Sequence, residues 1–201
     1  MRASLFRGVT VLGVLAIGAS TPAAGQWAVG IEIGADRFWG GSEEVTGDGT
    51  SFLPYRPTVL GLGLEHRSSS LGVGLRFHYT DAGLALEGPE VTAVASGAFD
   101  VYGISPELGY RLATLGGDNQ LILRGGPLVE LWHLPGEEDR TRLGFQGGLS
   151  LLVPLGGRFA GTLLAGGAVI PSPFQDGELP ANYELRTLWR RSVAGRLEYR
   201  L

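Results

Sequence analysis

The 201-residue chain contains no cysteine and no lysine, and it has a single methionine. Without cysteine, no disulfide framework can hold an exported fold together. Without lysine, every basic side chain is an arginine. One reading of this is codon bias in a GC-rich genome. It also suits buried, bidentate pairing with carboxylates, and the two readings are compatible. No stretch reaches the roughly 18 consecutive apolar residues of a membrane-spanning helix, so any crossing of a bilayer must use strands. No segment shows a convincing helical period. Glycine-rich pieces such as "GVGLRFHYT" are followed by no helix and are not nucleotide cradles.

What is present begins with a leader. Arg2 and Arg7 precede a short apolar run, Val9 to Ala19, and Ala23-Ala24-Gly25 supplies small residues for cleavage. Residues 1–25 therefore read as a secretory signal peptide, leaving 26–201 as one domain. That domain keeps 14 arginines against 20 acidic residues, a balance of −6. This balance, with no basic patch in the loops, disfavours nucleic acid as a partner.

Strict alternation is the dominant pattern. "LGVGLRFHYT" sets Leu71, Val73, Leu75, Phe77 and Tyr79 against Gly72, Gly74, Arg76, His78 and Thr80, and "RLGFQGGLSLLVPL" repeats the habit. Eight strands are expected, over 27–39, 55–67, 71–81, 98–113, 120–134, 142–155, 158–174 and 183–201. Short connections at 68–70, 114–119 and 156–157 alternate with generally longer, more polar ones at 40–54, 82–97, 135–141 and 175–182. The less polar stretch "LALEGPEVTAVASG" reads either as a hairpin above the membrane or as a contact surface. An even strand count, with short turns on the side of both chain ends, is the habit of bacterial outer-membrane barrels.

Three features decide which face points inward. An eight-stranded barrel has room for side chains and little else; the glycine-rich polar face fits that volume, whereas the Leu/Val/aromatic face overfills it. The aromatics fall into two expected membrane girdles: Trp27, Tyr110, Phe159 and Tyr199 near the short turns, and Phe77, Tyr79, Tyr102 and Trp189 near the long loops. Finally, the terminal "VAGRLEYRL" has the length of a tilted crossing strand, with Arg191 placed at headgroup level beside Trp189.

The closing "GRLEYRL" looks like the signal strand by which outer-membrane barrels are recognised for assembly. With the leader and the strand count, the chain resembles the small OmpA-type and OmpX-type barrels, and it ends in Leu201 where that family usually ends in Phe or Trp. The resemblance implies an all-β, eight-stranded antiparallel up-and-down transmembrane barrel in the bacterial outer membrane with both termini periplasmic. It also implies lipid, lipopolysaccharide and the barrel assembly machinery as partners.

Parity assigns a lumen charge network of Glu32, Glu65, Arg76, Glu107, Arg111, Arg124, Glu130, Arg142, Arg158, Glu184, Arg186, Arg190, Arg196, Glu198 and Arg200. Mixed signs at several depths favour a salt-bridged, non-conducting plug, with a narrow gated path for small solutes as the alternative. The longer connections are acidic (Glu43, Glu44, Asp48, Glu87, Glu90, Glu137, Glu138, Asp139, Asp176 and Glu178) and are read as solvated loops. Divalent-cation bridging to lipopolysaccharide is the sharper reading; with no EF-hand spacing, no metal site and no cofactor are assigned. Catalysis ranks third. His66 stands two residues before Ser68, similar to lipid A deacylases but at the wrong end, and His133 is followed by Leu134 and Pro135. A non-enzymatic role in membrane integrity, surface contact or partner binding is the leading expectation, including service as an accessory subunit of a larger assembly.

Overall fold

The structure is a computed structural model and describes residues 25–45, 50–87, 92–134, 136, 138–175 and 177–201; of Arg56, Thr92 and Ser96 it describes the backbone alone. The leader as far as Ala24, with Asp48, Glu90, Glu137 and Asp176, lies outside the described residues. Eight strands run β1 (Gln26–Glu44), β2 (Ser51–Arg67), β3 (Leu71–Glu87), β4 (Thr92–Thr114), β5 (Gln120–His133), β6 (Arg140–Gly156), β7 (Phe159–Ile170) and β8 (Tyr183–Arg200). Each pairs antiparallel with its neighbours, and β1 pairs β8 to close the barrel. Closure matters because a hydrocarbon environment offers no partner for an unpaired strand edge.

Period-two alternation becomes two opposed surfaces. Ile33 is 63% exposed while its neighbour Glu32 is 5% exposed. Aliphatic residues such as Leu62, Leu143 and Val193 point outward, and carboxylates and guanidiniums are buried inside. A water-soluble barrel would show the reverse.

β1 to β4 and β6 outrun the expected strands at the long-loop end. β3 and β4 continue as a ribbon to Glu87 and Thr92, so most of "LALEGPEVTAVASG" is hairpin. Register shifts at Gly40/Ser42, Tyr55/Thr58 and Ala82/Leu84 fall where these ribbons leave the barrel, as bulges do at barrel rims. β7 is shorter than expected. It stops at Ile170 because Pro171 and Pro173 lack the N–H that a continuing ladder needs.

Outward aromatics sit at both ends. Trp27 packs on His66 at 4.9 Å between ring centroids, and Phe159 packs on Tyr199 at 5.3 Å near the short turns. Tyr79 packs on Tyr102 at 5.2 Å and Trp39 on Trp189 at 6.3 Å near the long loops. Tyr110 and Phe77 are half exposed on the same outer surface.

Candidate functional site

The lumen is filled in tiers. Nearest the short turns, Glu65 accepts from Arg67 at 2.7 Å and from Arg124 at 2.9 Å. Arg67 reaches across to Glu198 at 2.6 Å, and Glu198 also takes the Thr162 hydroxyl at 2.8 Å. Arg124 donates its Nε to Ser150 at 2.8 Å. In the middle, Arg196 grips Glu32 through Nε (3.1 Å) and Nη2 (2.8 Å), and Arg76 bonds the other Glu32 oxygen. Gln146 then accepts from Arg76 at 3.3 Å and donates to Glu107 at 2.7 Å.

The upper tier centres on Glu130, which is fully buried. It accepts from Arg190 at 2.6 Å and from the Trp132 indole at 3.1 Å, and it lies 3.2 Å from His78 Nε2. Arg190 stands 3.5 Å from Asp36. Gly103 makes this tier possible: a Cβ there would lie 2.0 Å from the His78 ring. Across the three tiers, Glu32, Asp36, Glu65, Glu107, Glu130 and Glu198 meet Arg67, Arg76, Arg124, Arg190 and Arg196, so opposite formal charges balance to within one. Removing one partner from such a pair typically costs about 3–5 kcal/mol, because the other charge stays buried alone.

Above Glu130 the inward positions change chemistry. Phe38, Phe99, Val101, Trp132 and Leu188 keep the inward parity, and with Leu53, Ala82 and Phe174 they form a buried apolar cluster. Trp132 meets Phe38 and Phe99 edge-on, with ring centroids 6.2 and 5.9 Å apart. Phe174 is not a strand residue. It comes from the β7–β8 connection, which folds back into the mouth and seats its ring 6.2 Å from Phe99. Arg142 fastens that connection by donating to the Ser172 carbonyl at 2.7 Å and the Phe174 carbonyl at 3.3 Å. Arg140 donates to the Pro173 carbonyl at 2.9 Å and pairs with Glu178, while Ser172 donates to the Gly41 carbonyl at 2.7 Å.

Nine of the fifteen residues assigned to the network by parity share these tiers: Glu32, Glu65, Arg76, Glu107, Arg124, Glu130, Arg190, Arg196 and Glu198. Six lie elsewhere. Glu184 and Arg186 pair with each other at 3.1 Å beyond the rim, half exposed, where the ribbon no longer encloses a lumen. Arg158 lies exposed at the β6–β7 turn, 3.3 Å from the Tyr199 hydroxyl. Arg142 holds carbonyls rather than a carboxylate. Arg111 and Arg200 line a polar vestibule of about 550 Å³ at the short-turn mouth, and among the described residues neither has a carboxylate within salt-bridge distance. Arg67 and Asp36 were missed, although each shares parity with an assigned neighbour, Glu65 or Glu32.

The three histidines take other partners. His66 packs on Trp27, His78 on Glu130, and His133 bonds Asp139 at 2.6 Å. That last contact, at the exposed end of β5 above the Tyr102 level, holds the His133 pKa above its usual value near 6.5. No histidine bonds a serine or threonine hydroxyl among the described residues, and no three His, Asp or Glu side chains there converge as a metal site.

No protein-family model and no curated protein matches the chain. Solved structures do. Neisserial surface protein A is 11% identical with a TM-score of 0.52, the match covering 87% of this chain and 97% of that one. The outer membrane protein OprG of Pseudomonas aeruginosa is 13% identical with a TM-score of 0.53, covering 89% and 96%. At such identities the likeness is one of fold: the small eight-stranded outer-membrane barrel.

Proposed function

We propose that this chain is a closed outer-membrane barrel, exported by residues 1–25, with both termini in the periplasm and the final strand read by the assembly machinery. It acts through its outer surface and loops, in membrane integrity or surface contact, rather than by passing solutes or by catalysis. One observation carries this reading: above the short-turn vestibule the lumen is occupied, first by the ion-pair tiers and then by the apolar cluster with Phe174 seated in it. A solute would have to displace both a neutralised charge network and a buried aromatic plug. The outward aliphatic surface supports the membrane location, since exposed apolar area on this scale is not tolerated in water.

The test is conductance of the refolded protein in planar bilayers. The expected result is no steady current from the wild type. Stable single-channel steps from the wild type would overturn the closed-lumen reading in favour of a narrow pore.

A further inference from the structure

Arg111 of β4 and Arg200 of β8 line the short-turn vestibule from opposite walls, because β4 and β8 are four strands apart in either direction around the closed ring. Each arginine in the tiers above has a carboxylate partner. These two have none among the described residues. The chain's own terminal carboxylate does not serve them either, since it belongs to Leu201, which is 61% exposed. Two like charges facing each other across a mouth with low-dielectric walls concentrate a positive potential there.

The vestibule, at about 550 Å³, has the size of a small-molecule site. It is a blind cup. At its floor Arg67 donates to Glu65 at 2.7 Å and to Glu198 at 2.6 Å, so its charge is already cancelled. Beside that tier Ile122, Leu152 and Ala160 are buried together. Of the residues lining the cup, Asp118 is the one acid, and it is exposed on the β4–β5 turn. The remaining wall is neutral: Ser68, Thr114 and Gln120 offer hydrogen bonds, while Ala28, Leu152 and Pro154 offer apolar surface.

We infer that this cup binds a small dicarboxylate. Each guanidinium takes one carboxylate through its planar fork, the bidentate geometry that arginine favours. The carbon chain between the two acids spans the mouth against Leu152 and Pro154. A two-ended anion thereby matches two cations on facing walls. A single-headed anion reaches one of them, or must draw both away from their walls. This is capture in a closed-bottomed site rather than passage, so it adds a binding role to the closed barrel proposed above. The periplasmic address of the mouth rests on that reading; the binding itself does not.

Isothermal titration calorimetry on the full chain, refolded in zwitterionic micelles at low ionic strength, tests it with glutarate, butyrate and inorganic phosphate. Glutarate is expected to bind one to one and about tenfold or more tighter than butyrate, the scale of one added charge-assisted contact. Arg111→Gln and Arg200→Gln should each weaken glutarate by about the same factor and leave it no better than butyrate. Arg158→Gln removes the same charge from the β6–β7 turn, outside the cup, and should leave glutarate binding unchanged. Neither cup substitution orphans a paired charge, and heat-dependent electrophoretic mobility confirms that each variant is folded. An absence of glutarate binding would overturn the inference. So would equal affinities for glutarate and butyrate, tighter binding of phosphate than of glutarate, or an equal loss in all three variants. None of these results touches the closed-lumen reading, which conductance decides separately.

Discussion

The Ser105 hydroxyl donates to the Pro127 carbonyl at 2.7 Å, where two prolines interrupt the β4–β5 ladder. The paired registers Ile104–Val129 and Leu108–Gly125 flank the break, and Pro106 and Pro127 occupy it without an N–H between them. Ser105 is fully buried and bonds across the gap from the lumen side. Ser105→Ala should therefore lower the unfolding free energy by about 1–3 kcal/mol, the usual cost of an orphaned buried acceptor. Urea unfolding in micelles reads this directly, and an unchanged midpoint would mean that the carbonyl is satisfied another way.

Glu130 and Arg190 should be strongly coupled. Glu130→Ala leaves Arg190 buried with Asp36 at 3.5 Å as its remaining described charge partner. A loss of about 3–5 kcal/mol is expected, and Arg190→Ala should cost less in the Glu130→Ala background than in the wild type. A double-mutant cycle measures the difference. Additive effects would show that the pair does not act as a unit.

Alternation made the barrel legible, since a two-residue period reports strand and facing together. It made the lower and middle lumen legible for the same reason: Glu32, Glu65, Arg76 and Arg196 are charged residues in otherwise apolar alternation. It failed at the top. Phe38, Trp132 and Leu188 share parity with Asp36, Glu130 and Arg190, but they are apolar, so chemistry alone assigns them to the lipid side. The signal was available in the register, because parity continues past the membrane band while composition changes. Phe174 had no such signal; two prolines and two distant arginines position it, and those contacts cross thirty or so residues of chain. Glu184 and Arg186 kept the inward parity on a ribbon that had already left the barrel, so parity there no longer specifies burial.

The His133–Asp139 contact gives a pH dependence with a definite sign. The folded pKa is raised, so the pair's contribution is fully present below the usual histidine value near 6.5 and is lost as pH rises through the folded value. Both groups are exposed, so the stability change is small, and the titration itself is the better readout. An NMR titration of the ring should place its pKa above 6.5, and Asp139→Asn should return it to the ordinary range. An identical titration in the variant would remove the contact as the cause.

Glu32 and Arg196 are 164 residues apart in sequence, and Arg67 and Glu198 are 131 apart. Both pairs join the opening two strands to the last one. An unclosed sheet of seven strands would therefore leave these charges only part-paired, Glu32 with Arg76 and Arg67 with Glu65, and the eighth strand completes the pairing in the step that seals the seam. Sealing the seam and completing its charge pairing are one event, which disfavours partly built intermediates.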